Sequence, residues 1–318
     1  MLYFQGKTAE QLAALHDEAF KDSSKSTKTT FLQSLKRIEK IYKKSFIDLK
    51  LKFIESPEEF CDDLDHSKYS ENTKLTTITC VLKLLKLIDV PLITYNKWLT
   101  ILKEKTESRQ KNDDDNLQKR LQVLLDFKTM KNLVYTEASK YVKNNVDEED
   151  FKNFLILSLF TLQIPVRVSN YVSMKVVDDE EYVDDLGNFL LVNDKEYKFI
   201  FNRYRTSYIL GRKEMRVTES TLQFLIDKWL SEYNKESNNF LIISNKNRRP
   251  MNGKMIEKSI KEASEKIFKI PLSIDNIRAS YMKRILELDP DFQDKLEISQ
   301  IMGYSSTTVL DKHEAKEI

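Results

Sequence analysis

The sequence predicts a mainly α-helical α+β protein: a helical bundle on the amino-terminal side, followed by a larger domain built around one small antiparallel sheet. Three observations carry this. Only 5 Gly and 6 Pro occur in 318 residues, which favours long helices over a turn-rich β fold. Apolar residues recur at helical spacing along most of the chain. The stretch VDDLGNFLLVNDKEYKFIFNRYRTSYILGRKEMRV is different: β-branched and aromatic residues dominate it, punctuated by Gly187, Asn193-Asp194 and Gly211. The length exceeds what one hydrophobic core usually supports, so two domains are expected.

Residues 1–6, MLYFQG, read as the remnant of a protease-cleavable tag and are set aside. From Thr27 the pattern is helical: Phe31, Leu35, Ile38 and Tyr42 share one face, and Lys36, Arg37, Lys40, Lys43 and Lys44 crowd the others. Helices are expected at 57–65 with Ser56 as cap, at 71–88 and at 91–106, making a bundle over 25–107. The stretch SRQKNDDDNLQKR, residues 108–120, has no apolar periodicity and carries an acidic run, so it is expected to be a linker. The second domain, 121–318, is entered by helices at 117–126, 136–144 and 147–162, the last ending in the apolar run FLILSLF of a buried helix. A three-stranded antiparallel sheet is expected between about 175 and 217. Helices return at 219–233, capped by Thr218 or Ser220, and at 252–267, 273–288 and 296–302.

With 41% hydrophobic and 32% charged residues the chain is globular rather than disordered. Cys61 and Cys80 have no metal-ligand spacing around them and read as small buried hydrophobes, which suits a reducing compartment. His16, His66 and His313 are too scattered for a zinc site. No apolar run approaches the ~18 residues of a membrane span, so no membrane partner is expected. The net charge of +2 hides an asymmetry: 18 Lys/Arg stand against 12 Asp/Glu between Lys25 and Lys111. A local excess of this kind suits a polyanion.

Four segments together resemble the boxes of tyrosine recombinases, in the style of integrases from large DNA viruses and their mobile elements. LFTLQIPVRVSNYVSMKV resembles the first arginine box and places the first family arginine at Arg167. KFIFNRYRTSYILGRKEMRV resembles the β-hairpin, with Arg205 where the family carries its lysine. PLSIDNIRASYMKRIL resembles the second box, giving Arg278 as second arginine and Asp275 in place of a histidine. ISQIMGYSSTTVLDKHEAKEI resembles the third: Tyr304 replaces a histidine, and His313 or Glu314 stands where the nucleophilic tyrosine belongs. The order and spacing cover essentially the whole chain, with the amino-terminal bundle matching the core-binding domain.

The resemblance implies a metal-free and cofactor-free chemistry. A tyrosine attacks a backbone phosphate, two arginine forks hold its non-bridging oxygens, and a lysine protonates the leaving oxygen. This chain keeps both arginines and departs at the other positions, and an arginine such as Arg205 is a very poor proton donor. Three readings accommodate the missing tyrosine: a module that only holds DNA, an altered or shortened chain, or a different register at the carboxyl end.

The expected function is therefore a cleavage-deficient clamp on duplex DNA for site-specific recombination or integration, with no small-molecule substrate. The rivals are an active recombinase with a nucleophile elsewhere, and an interaction protein that kept the fold. Expected DNA contacts are Lys36, Arg37, Lys40, Lys43 and Lys44, then Thr73, Lys74, Thr77 and Lys83 on a helix laid in a groove, and Arg212 and Lys213 on the hairpin. The resemblance also implies a homo-oligomer, dimer or tetramer, on DNA. It implies an intracellular setting wherever that DNA lies, in the nucleus or in a viral factory in the cytoplasm.

Overall fold

The computed structural model describes residues 25–43, 52–87, 90–143, 146–193, 196–234 and 239–303. Lys44, Tyr304, His313 and Glu314 lie outside the described residues. The chain divides into two compact units, Met1–Lys119 and Arg120–Ile318.

The first unit is helical: α1 (Lys25–Tyr42), α2 (Lys52–Glu55), α3 (Pro57–Asp65), α4 (Glu71–Leu87) and most of α5 (Leu92–Val123), whose last residues belong to the second unit. On α1 the predicted stripe turns inward at Phe31 and Ile38, while Lys36 and Lys40 remain exposed. Pro57 opens α3, where a missing N–H costs no hydrogen bond. Ser56 stands at the cap position but its side chain makes no capping bond. Trp98 closes the core against Phe60, with ring centroids 5.2 Å apart, and donates its indole N–H to the Ile54 carbonyl at 2.9 Å.

The expected linker at 108–120 contains the boundary between the two units, but it is helical, because α5 runs through it. Its composition explains why. The stretch from Leu92 to Val123 contains no Gly or Pro and is filled with Lys, Glu, Gln, Arg and Leu, all strong helix formers. Lack of an apolar stripe removes a packing face, not the helix.

In the second unit, α6 (Phe127–Lys143) and α7 (Glu148–Thr161) come first. Asp147 caps α7, accepting from the amides of Glu149 and Asp150, and every residue from Phe151 to Thr161 is buried. The sheet follows: β1 (Lys175–Val177), β2 (Asn188–Val192), β3 (Tyr197–Phe201) and β4 (Lys213–Arg216), in that order across the sheet. β2–β3 and β3–β4 are antiparallel, but β1 lies parallel to β2, Lys175 facing Phe189. The sheet is thus four-stranded and mixed, not three-stranded and antiparallel. β1 is too short for alternation to reveal it, and the 178–187 connection is a crossover rather than a hairpin turn. Alternation along β2 and β3 sends Leu190, Phe199 and Phe201 into the main core, and Phe189, Leu191 and Ile200 into a smaller cluster with Val177 and Val183.

A short helix α8 (Ser207–Leu210) sits between β3 and β4. Then come α9 (Ser220–Lys228), continued by a wider turn over Trp229–Tyr233, α10 (Gly253–Phe268), α11 (Ile274–Leu288) and α12 (Phe292–Ile301). At α9 neither Thr218 nor Ser220 is the cap. Glu219 holds the position without a capping bond, because its carboxylate accepts from Lys131 and from the Tyr135 hydroxyl. A capping box between Ser273 and Asn276 starts α11 and so fixes the rotation of Arg278 about that helix. Among the described residues no helix is long and apolar enough to cross a membrane.

Candidate functional site

The segment after α7 is extended, so its side chains alternate. Val166 and Val168 are buried while Arg167, between them, is half-exposed. A single 3-10 turn, Val168–Asn170, then locks the segment, with the Asn170 amide bonded to the Arg167 carbonyl at 3.0 Å. Tyr171 anchors it from below through Gln163, whose amide donates to the Tyr171 hydroxyl at 2.8 Å.

Arg278 approaches the same segment from α11 and is only 3% exposed. Its two terminal nitrogens donate to main-chain carbonyls, Nη1 to Pro165 at 3.0 Å and Nη2 to Met302 at 2.8 Å. The fork therefore ties the residue two before Arg167 to the end of α12. Gly303 follows there with φ +78°, and the Arg167 side chain lies against it: a Cβ on Gly303 would stand 3.5 Å from Arg167 Nε. Two arginines more than a hundred residues apart thus share one turn.

A third cation arrives from β4. Lys213 Nζ donates to the Gln300 carbonyl, in the last turn of α12, and sits 4.7 Å from the centre of the Tyr204 ring. Among the described residues it has no acidic partner, and burial pushes its ammonium down to about 8. The sequence places Lys213 among the DNA contacts of the hairpin, whereas the structure brings it to the arginine turn. The available signal is a lysine two positions beyond the turn at Gly211.

Arg205, expected at the family's lysine position, is exposed in the 202–211 loop, and no described contact joins it to this turn. Asp275 is exposed in the first turn of α11, where a carboxylate complements the helix dipole. No described contact joins it to Arg278. Arg212 is not a free hairpin cation, since it pairs with Glu180 at 2.5 Å and with Glu214 at 2.6 Å. Lys198 is likewise held by Glu180, Glu196 and Glu214.

In the first unit α4, the helix expected to lie in a groove, buries one face and leaves another open, with Thr79 and Lys83 exposed. Leu75, Ile78, Val81, Leu82, Leu84 and Leu85 all bury. Thr77 is fully buried and donates to the Thr73 carbonyl, and Lys74 is buried between Glu71 at 2.7 Å and Asp65 at 3.7 Å. Thr77 is thereby turned away from solvent, and the Lys74 ammonium is held by its two carboxylates. Thr73 shares a hydrogen bond with Ser70 at 2.9 Å, while Lys83 stays exposed. On α1, Lys36, Lys40 and Lys43 are exposed, whereas Arg37 donates to Ser34 and lies over Tyr69. A groove of about 450 Å3 runs between α1, α4 and α5, walled by Thr27, Thr30, Thr76 and Thr79 and bordered by Lys83 and Arg109. Sequence reasoning misses it because no periodicity marks a concavity between three helices. Among the described residues no three His, Cys, Asp or Glu side chains gather as metal ligands.

No family model matches the chain, and no curated protein matches it. Among solved structures the chain is similar to the crystal structure of XerA recombinase, with 16% sequence identity and a TM-score of 0.42, over 95% of this chain and 92% of that one.

Proposed function

We propose that this chain binds duplex DNA and seats one backbone phosphate at the turn where Arg167, Lys213 and Arg278 meet, without cutting the strand. The observation that supports the reading is that convergence itself. All three side chains are fixed on the short Gln300–Gly303 stretch, so a phosphate docked there would meet cationic groups from three elements. Arg167, half-exposed, is the fork that reaches the phosphate oxygens. Arg278 is buried and pinned by two carbonyls, so it contributes fixed positive field and holds the Pro165 and Met302 turns together. Lys213, whose ammonium burial pushes down to about 8, is better suited than Arg205 to give up a proton.

What the sequence does not supply is the nucleophile, because His313 and Glu314 stand at the expected tyrosine position. A carboxylate is repelled by a phosphodiester, and an imidazole needs a different approach geometry from that of a long phenol. Binding without covalent attachment is the resulting activity, carried by sequence-independent phosphate contacts from Lys36, Lys40 and Lys43 as well.

A second reading, an interaction protein with no affinity for DNA, draws on the internal neutralisation of Lys74, Lys198 and Arg212 by carboxylates. A salt titration of duplex binding decides between them. The proposal expects affinity to fall steeply as ionic strength rises. Absent or salt-independent binding supports the second reading.

A further inference from the structure

The loop between β3 and β4 is unusually well fastened for a surface loop. Asn188, buried on β2, clamps its start: its side-chain oxygen accepts from the amides of Asn202 at 3.0 Å and Arg203 at 2.8 Å. Its amide group donates to the carbonyls of Arg203 and Asn170, both at 2.9 Å. The Tyr204 hydroxyl closes the far end, donating to the Gly211 carbonyl at 2.7 Å. Gly211 adopts φ 67° and ψ −158°, a conformation essentially reserved for glycine. Lys213, two residues on, reaches the arginine turn.

What this fastened loop displays is apolar. On α8, Tyr208 is 84% exposed and Ile209 is 65% exposed, side by side. Arg203 and Arg205 are exposed on the same loop and form no ion pair among the described residues. Of the acids at the loop's base, Glu180 is held by Arg212, and Asp184 accepts from the Leu186 amide. Single exposed hydrophobic residues are ordinary. Two adjacent ones, at the tip of a pre-ordered loop with two unpaired arginines, have the composition of an apolar wedge flanked by phosphate ligands.

We infer that Tyr208 and Ile209 form a wedge that inserts between stacked base pairs of the DNA, next to the phosphate seated at Arg167 and Lys213. Arg203 and Arg205 would grip the flanking phosphates. This rests on the DNA-binding reading above. Because the loop is held at both ends before binding, little ordering entropy opposes insertion. The unfavourable part is unstacking the step, which is least where stacking is already interrupted.

The test uses the full chain and labelled short duplexes, one intact and one with a central mismatch or bulge, read by fluorescence anisotropy. The wild type is expected to bind the interrupted duplex about tenfold more tightly. Tyr208→Ala combined with Ile209→Ala is expected to erase that preference while leaving the salt dependence of binding in place. Tyr208→Trp gives a second readout: Trp98 and Trp229 are both fully buried, so a new exposed indole reports stacking by quenching when DNA is added. Equal affinity for both duplexes, together with an indole that stays unquenched in the Tyr208→Trp variant, overturns the wedge. So does a salt-independent self-association that the double variant abolishes, which would make the pair a protein contact. Loss of all DNA binding by the wild type is a separate result, and it removes the DNA reading itself.

Discussion

The side chain of Arg167 rests on Gly303, whose missing Cβ would stand 3.5 Å from Arg167 Nε. That spacing is ordinary van der Waals contact, so an alanine fits sterically, but the backbone at φ +78° disfavours any side chain. Gly303→Ala is therefore expected to cost about 1–2 kcal/mol of stability from conformation alone. Gly303→Val adds bulk where Arg167 lies and should also weaken DNA binding. Urea denaturation and anisotropy on the two variants separate these effects.

Arg278 satisfies the carbonyls of Pro165 and Met302 with separate arms of one planar fork. A lysine has one nitrogen and cannot span both. Arg278→Lys should leave one carbonyl without its charge-assisted donor and lose about 1–3 kcal/mol. A urea midpoint unchanged from wild type would show that the fork holds nothing together.

How much of this is legible in the sequence differs by feature. The helix at 147–162 is legible from its long apolar run, and that at 57–65 is expected with Ser56 as its cap, although the Ser56 side chain makes no capping bond and Pro57 opens the helix. Arg167 and Arg278 are marked by their motif context. The parallel strand Lys175–Val177 is invisible, because three residues carry no periodicity and its partner lies beyond a crossover. The helix through 108–120 is hidden because a polar stretch without a stripe looks like a linker, although its residues are good helix formers. Thr77 and Lys74 have the right chemistry for DNA and the wrong burial. A lysine fully masked by Glu71 and Asp65 looks the same in sequence as a solvent-facing one.

Lys213 predicts a pH dependence of definite sign. Burial lowers its folded-state value to about 8, below the ~10.4 of an unfolded lysine. Between those values the unfolded chain binds more protons, so this group's contribution to stability rises with pH across that window. DNA binding runs the opposite way, because it needs the charged ammonium. Affinity should begin to fall above about pH 8, and Lys213→Met should remove that fall. Parallel pH profiles for wild type and variant would place the titrating group elsewhere.

Incubation with a nicked suicide duplex should give no covalent protein–DNA band, since no phenol stands at positions 313 and 314. Glu314→Tyr or His313→Tyr tests what is missing. If Lys213 is the available proton donor, a weak covalent band should appear without any change at Arg205. If it appears only after Arg205→Lys, the donor assignment is wrong. A band from the unmodified chain would mean that a nucleophile exists elsewhere.

Lys36 and Lys40 are exposed on one helix and make phosphate contacts without base reading in this account. Replacing both by alanine should weaken binding to unrelated sequences by similar factors. A loss confined to one sequence would show that α1 reads bases instead.

The phosphate site is tested most directly by the slope of log affinity against log salt for duplex DNA. Arg167→Ala with Lys213→Ala should flatten that slope by about one phosphate contact's worth, ~0.9, with the fold intact by circular dichroism. An unchanged slope and affinity in the folded double variant would contradict the account, because the turn where Arg167, Lys213 and Arg278 meet would then hold no phosphate.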